Sequence, residues 1–279
     1  MHLPLLTTEF LDRAVDLHAD RVGVVADDGT EYTYGEFGER VNRLSNALED
    51  LGLEKGDRLA ILAPNTHWFM ESLYAAAKLG VIFVPLNYRL TPSDYNYILN
   101  DCEAKAIIAD YEYADKIEGI RNQVSTEHHV AYKPDKVKGD WTGYEALLGD
   151  YSPDEPQRPD IDETDDASII YTSGTTGDPK GVVHTYRVQY LHALIHAHHM
   201  EVEDDDTILW TSPMFHINGW GHIFTVTGIG GKHVCLRAFD PAEVFRRIPE
   251  YDVTFFGAAP TVLNMLIDYY ENNDVETQG

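Results

Sequence analysis

Two hydrophobic periods alternate along the chain. From Tyr34, apolar side chains at Phe37, Val41, Leu44, Leu48 and Leu51 recur at helical spacing, and Gly52 stops the helix before the turn 54–57. Upstream, residues 7–18 place Phe10, Leu11, Ala14, Val15 and His18 on one helical stripe that Thr7 or Thr8 can cap. Between these helices, residues 22–26, the turn Asp27-Asp28-Gly29 and residues 31–34 read as a hairpin. The pattern then predicts strand 58–63, helix 67–79, strand 81–85, helix 92–100 and strand 104–109. Strand, helix, strand in succession implies a parallel sheet.

A weaker strand at 128–132 precedes residues 150–166, where eight acids, one arginine and three prolines leave little to bury, as in a surface connector. Beyond it the sequence predicts strand 167–172, a glycine-rich loop, a helix from about 184 to 200, and the acidic turn 201–206. Strand 207–211, a loop and short helix over 214–226, strand 232–236, a helix from Asp240-Pro241 to about 250, strand 253–256 and helix 260–270 complete the reading. The expected fold class is α/β with two stacked sheet lobes. Residues 55–199 form the first, ending in the glycine-rich loop and its helix. Residues 1–54 join 200–279 in the second, and a site is expected in the cleft between them.

Chemistry concentrates in Thr172-Ser173-Gly174-Thr175-Thr176-Gly177-Asp178-Pro179-Lys180-Gly181. Gly174, Gly177 and Gly181 permit backbone angles that aim successive amides at one point, and such a nest holds an anion. Thr172, Ser173, Thr175 and Thr176 add hydroxyl donors, and Lys180 adds a point charge, so the segment suits a polyphosphate. The spacing is neither GxxxxGK[ST] nor GxGxxG, which disfavours the common nucleotide-binding folds. Gly257, Ala258 and Ala259 follow the expected strand 253–256, where small side chains leave room for a ligand at the sheet edge.

Residues 171–182 resemble the signature of the adenylate-forming, AMP-binding superfamily, which includes acyl-CoA synthetases. Residues 79–92, 32–36 with 56–58, 214–220 and 253–262 resemble further blocks of the same family, in the same order. By this likeness the chain would activate a carboxylic acid, of the fatty-acid type, with ATP and Mg²⁺ and pass it to coenzyme A. The resemblance implies that residues 172–177 wrap the outer phosphates, that Lys180 stands near the departing pyrophosphate and that Thr175 is the protein oxygen nearest the metal. It places His216 where the carboxylate meets ATP, with Phe215 packed beside it, and Trp220 along the acyl tunnel.

Blocks that a full family member carries further on do not occur before Gly279: the adenine-binding strand, the glutamate completing the Mg²⁺ site, the ribose-binding aspartate and the C-terminal small domain with its lysine. The expectation is therefore the front portion of an acid:CoA ligase, incomplete for catalysis: either a truncated gene product or half of a split one, whose missing part a separate chain would supply. A non-catalytic nucleotide-binding module and an adenylation unit with another acceptor remain open, as does a homodimer. His192, His196 and His199 lie at i, i+4 and i+7, a spacing that could hold a metal, but nothing in the sequence completes a site.

Composition trims the alternatives. Acids outnumber bases 47 to 21, a net charge of −26, which repels polyanions and excludes a nucleic-acid partner recruited through phosphates. Only two cysteines, Cys102 and Cys235, are present, with no CxxC pair to build a thiolate zinc site. No apolar run is long enough for a membrane span, since residues 73–86 are interrupted by Lys78, and residues 1–4 lack a secretory n-region. The expectation is a cytoplasmic protein whose dispersed acidity suits a high-salt interior.

Overall fold

The computed structural model describes residues 3–172 and 178–275, with the backbone alone for 217–220. In chain order the elements are α1 (Thr8–His18), β1 (Val22–Val25), β2 (Glu31–Thr33), α2 (Tyr34–Asp50), β3 (Arg58–Leu62), α3 (His67–Leu79), β4 (Ile82–Pro85), α4 (Pro92–Asp101), β5 (Ala106–Asp110) and α5 (Ala114–Glu118). There follow β6 (His128–Tyr132), β7 (Thr142–Gly143), α6 (Tyr144–Gly149), β8 (Asp166–Thr172), β9 (Lys180–Thr185), α7 (Tyr186–His199), β10 (Thr207–Leu209), α8 (Ile217–Ile229), β11 (Lys232–Val234), α9 (Pro241–Glu250) and α10 (Pro260–Asn272).

The described strands build two sheets. The larger runs β7-β6-β5-β3-β4-β8-β9, parallel except for the antiparallel β8–β9 pair; the smaller runs β10-β11-β1-β2. Strand side chains alternate between faces, and the alternation sorts them into separate cores. Leu59 and Ile61 of β3 join Val24 of β1 and Ile208 of β10 in one core with side chains of α1, α2, α3 and α8. Their neighbours Ala60 and Leu62 face the opposite way, against Tyr95, Ile98 and Leu99 of α4 and Ile117 of α5. Val25 and Leu209 meet Val244 of α9 and Leu266 of α10. The order of layers is thus helices, large sheet, shared helices, small sheet, helices. The α3 helix lies in the shared layer and is buried along its whole length.

Helix ends follow local chemistry. Thr33 and Glu36 form a capping box at α2, Thr91 and Asp94 another at α4, and the Asp240 side chain accepts from Ala242 N ahead of Pro241. At α1, in contrast, neither Thr7 nor Thr8 caps through its hydroxyl; both hydroxyls are buried without a partner among the described residues.

Two expectations need correction, and three short elements were not foreseen. The segment after the glycine-rich loop is strand β9, and the helix begins only at Tyr186; the β-branched Val182 and Val183 pair with β8, and Thr185 accepts from Val188 N to start α7. The loop therefore joins two strands of a hairpin. Residues 253–256 do not form a full strand, because only Phe255 bridges Ile208 while the amides of Thr254 and Phe255 both converge on Thr207 O. The short α5, β7 and α6 arise in segments that carry too few apolar residues to show a period.

Candidate functional site

The carboxyl ends of the parallel strands of both sheets face each other, and three contacts tie them together. After β3, Asn65 is buried and fully used: its Nδ2 donates to Trp210 O (2.7 Å) and Ser212 O (3.0 Å), and its Oδ1 accepts from Met214 N (2.7 Å). At the end of β5, Asp110 accepts two hydrogen bonds from the Arg237 guanidinium, at 2.6 and 2.8 Å. Asp110 is buried and belongs to the large sheet, whereas Arg237 follows β11 of the small one, so the pair bridges them. After β4, the Tyr88 ring meets Phe215 edge-on at 5.2 Å and stacks on Tyr113 at the same distance.

These contacts fix the segment that carries His216. Phe215 is buried, His216 is exposed, and its amide donates to Pro213 O in the turn that opens α8. The side chain of Trp220 lies outside the described residues. Upstream of the turn, the Thr211 and Ser212 hydroxyls both donate to Gly257 O, at 2.5 and 2.7 Å. A Cβ at Gly257 would stand 3.3 Å from Ser212 Oγ, tighter than ordinary contact, so glycine lets this strand end and the 257–259 segment approach. Ala258 is half-buried and Ala259 exposed.

Behind the turn, Trp210 stacks on His233 (5.9 Å, 11°) and donates its indole N–H to His233 Nδ1 at 3.2 Å. The donated proton leaves Nε2 as the N–H of a neutral ring, 3.0 Å from Thr227 Oγ1. Burial, reinforced by His222, pushes the His233 pKa down to about 3.

The strands that flank the glycine-rich loop, β8 and β9, form one edge of the large sheet. Ser173, Gly174, Thr175, Thr176 and Gly177 lie outside the described residues. Thr172 and Lys180, the residues flanking the loop, are paired in register and both exposed. Gly181 has no positive φ; its role is clearance, since a Cβ there would meet Ile169 Cγ2 at 2.7 Å and the Tyr171 ring at 3.2 Å. Tyr171 donates to Asp101, and burial together with that carboxylate raises its pKa, keeping the phenol neutral beside the loop.

Sequence reading singled out Thr172, Lys180 and 257–259 by residue type, and His216 by the family resemblance. It missed Asn65, Thr211 and Ser212, which act through contacts across the fold. The available signal was positional: polar Asn65 and Thr66 come within four residues of the end of the apolar strand β3, where ligands bind in open parallel sheets. Among the described residues no three His, Cys, Asp or Glu side chains converge to hold a metal.

Two stacked sheets with a shared helical layer match the N-terminal domain of adenylate-forming enzymes. The inhibitor-bound N-terminal domain of FACL13 from Mycobacterium tuberculosis is similar over 98% of this chain and 67% of that one, with a TM-score of 0.87 and 31% identity. The anthranilate CoA ligase AuaEII, solved with anthranoyl-AMP, is similar with a TM-score of 0.88 at 25% identity, over 94% of this chain and 51% of that one. Residues 11–278 match the AMP-binding enzyme family, and the chain belongs to it. In sequence it is 32% identical, over 98% of its length, to 4-hydroxybutyrate--CoA ligase 2 of Metallosphaera sedula, and 32% identical, over 99%, to the peroxisomal trans-cinnamate:CoA ligase of Petunia hybrida. The chain spans about half the length of these curated relatives, 50% and 52%.

Proposed function

We propose that the chain forms the nucleotide- and acid-binding front of an AMP-forming acid:CoA ligase. A carboxylate oxygen attacks the α-phosphorus of ATP, pyrophosphate leaves, and the thiol of coenzyme A then displaces AMP. What supports this reading is that each candidate segment follows the carboxyl end of a strand: Thr172 ends β8, the Phe215-His216 turn follows β10, and 257–259 follow the parallel bridge of Phe255 to β10. The lobes 55–199 and 1–54 with 200–279 would meet across these segments. Residues 172–177 with Lys180 hold the outer phosphates, and His216 orients the acid carboxylate toward them. Trp220, Gly257, Ala258 and Ala259 border the acyl chain, which in a short- to long-chain fatty acid would run along α8.

Magnesium would supply charge neutralisation on the phosphates. Thr175 is its candidate protein ligand and lies outside the described residues, while the described residues offer no acidic cluster for it.

The half-length match favours a second element of the reading: the faces of α7 and α10 are covered by the region corresponding to the relatives' second half, continuous with this chain or supplied by another. Leu191, Leu194 and Ile195 of α7 and Leu263, Met265 and Ile267 of α10 are exposed, Ile195 by 65%. A helix apolar on two faces is built to be buried on both. A second copy of the chain would cover the same faces only by forming a homodimer. The setting proposed for the protein is the cytoplasm. Among the described residues no helix is long and apolar enough to cross a membrane.

Calorimetric titration with ATP and magnesium tests the loop. Saturable binding is expected, weakened about tenfold by Lys180→Ala through loss of a charge-assisted contact and unchanged by Lys138→Ala. Absence of binding would refute the reading.

A further inference from the structure

The hairpin of β8 and β9 is tied to its surroundings, at the end that carries the loop, through one side chain. Among the described strands β9 pairs with β8 alone, and Val182 and Val183 along it are exposed. Register sets Tyr171 opposite Gly181 and Thr172 opposite Lys180. The Tyr171 ring lies against Gly181, where a Cβ would stand 3.2 Å from its Cζ, and packs with Ile169 on the core formed by α4. An aromatic ring beside a glycine of the neighbouring strand restores packing that the glycine lacks. Beyond the hairpin, Tyr171 Oη donates to Asp101 Oδ2 at 2.5 Å. Among the described residues, no other side chain of 171–172 or 178–181 makes a hydrogen bond or ion pair outside the hairpin.

Asp101 holds an unfavourable place for a carboxylate. It is the last residue of α4, a helix with no basic residue in its final turn, and the carbonyl end of a helix repels negative charge. It also stands near the exit of the loop. Burial first, then the charges of Asp101 and Asp178, raise the Tyr97 pKa, so both carboxylates lie within electrostatic reach of one phenol. A negative charge so close opposes the approach of phosphates. What Asp101 contributes is a charged acceptor for Tyr171, which makes a stronger hydrogen bond than a neutral one.

We propose that Tyr171, anchored on Asp101, is the positioning residue of the phosphate loop. The inference rests on the phosphate-binding reading of residues 172–180 and names what holds that segment ready. Tyr171 precedes Thr172 in the chain and lies opposite Gly181, the neighbour of Lys180, so fixing its ring fixes both strand ends from which the loop departs. With the ring tied to α4, those ends are in place before a ligand arrives. With the tie cut, part of the binding free energy goes into ordering them. Tyr171 thus acts through Thr172 and Lys180 and not by touching phosphate.

Three variants separate this role from charge. Tyr171→Phe removes the donor and leaves the charge unchanged. Asp101→Asn and Asp101→Ala remove the same charge, and only asparagine keeps an acceptor. In calorimetric titrations with ATP and magnesium, Tyr171→Phe should bind about fivefold more weakly than the unmodified protein, and Asp101→Ala about fivefold more weakly than Asp101→Asn, the worth of one hydrogen bond. Asp101→Asn should bind at least as tightly as the unmodified protein, because it also relieves repulsion. Melting curves check that each variant is folded at the titration temperature. Asp101 is exposed, so its two variants decide the matter even where Tyr171→Phe is unstable. Binding by a folded Tyr171→Phe within about twofold of the unmodified protein, or equal binding by the two Asp101 variants, overturns the inference and leaves phosphate binding standing. If the unmodified protein binds no ATP, the phosphate-loop reading itself falls, and the inference with it.

Discussion

His233 carries the clearest pH signature of any single residue. It is wholly buried, stacked on Trp210 and hydrogen-bonded at both nitrogens. Burial first, and His222 second, hold its pKa near 3 rather than the ordinary 6.5. As pH falls through 6.5 the unfolded chain takes up a proton that the folded chain refuses until about pH 3. The unfolded state therefore binds more protons in that window, and stability, complete above pH 6.5, declines toward pH 3. The limiting slope is about 1.4 kcal/mol per pH unit for one such group. Urea unfolding at pH 7.5 and pH 5.0 should show the fall, with roughly 1–2 kcal/mol of it absent in His233→Gln. Parallel curves for the two proteins would show that the buried ring stays neutral at no cost. The interval lies above the carboxylate range, so acidic groups do not obscure the comparison.

Among elements, the decisive joint is between the loop after β3 and the turn before α8, which Asn65 closes across a separation of about 150 residues. Asn65→Ala strands two carbonyls and one amide, and should destabilise the fold by about 2–4 kcal/mol, read from the urea midpoint. Asn65→Asp keeps the acceptor but sets a buried carboxylate oxygen against the two carbonyls, and should cost at least as much; a shift below about 0.5 kcal/mol for the alanine variant would reduce the clamp to incidental contact. The same joint explains what could be read in advance. Helices α2, α4 and α9 announce themselves through local rules, a capping threonine or aspartate and a period of apolar residues, and the parallel order of β3, β4 and β5 follows from their alternation with helices. Strand β9 escaped because its identity depends on pairing with β8 across a loop, while Val182-Val183 leading into an apolar stretch reads equally well as a helix start. Of the candidate site, residue chemistry marked Lys180, and the family resemblance marked His216. The supports at Asn65, Thr211, Ser212 and Arg237 are defined by partners far along the chain, which no local pattern encodes.

At the scale of the whole molecule, charge sets two effects against each other. Ion pairs fasten the acidic connector: Arg158 binds Asp12 of α1 at two positions of 2.7 Å, and the buried Lys78 of α3 binds Glu155 at 2.6 Å. Salt weakens such pairs, yet exposed ones contribute only about 0–1 kcal/mol each and buried ones are screened little. On the other side stand 47 acids against 21 bases, so most carboxylates have no cationic partner to find. Their mutual repulsion disfavours the compact state. Raising the ionic strength from 0.1 to 1 M shortens the screening length from about 10 to 3 Å, which removes repulsion between neighbouring surface acids before it dissolves a contact pair. Repulsion outweighs the pairs, so the melting temperature should rise by several degrees, about 1 kcal/mol or more, between 0.1 and 2 M KCl. Chloride is the informative salt, because sulfate would stabilise any protein by exclusion from its surface. A melting temperature that is flat or falls across the series would mean that the ion pairs prevail over the excess charge, and that the acidity is no adaptation to a high-salt interior.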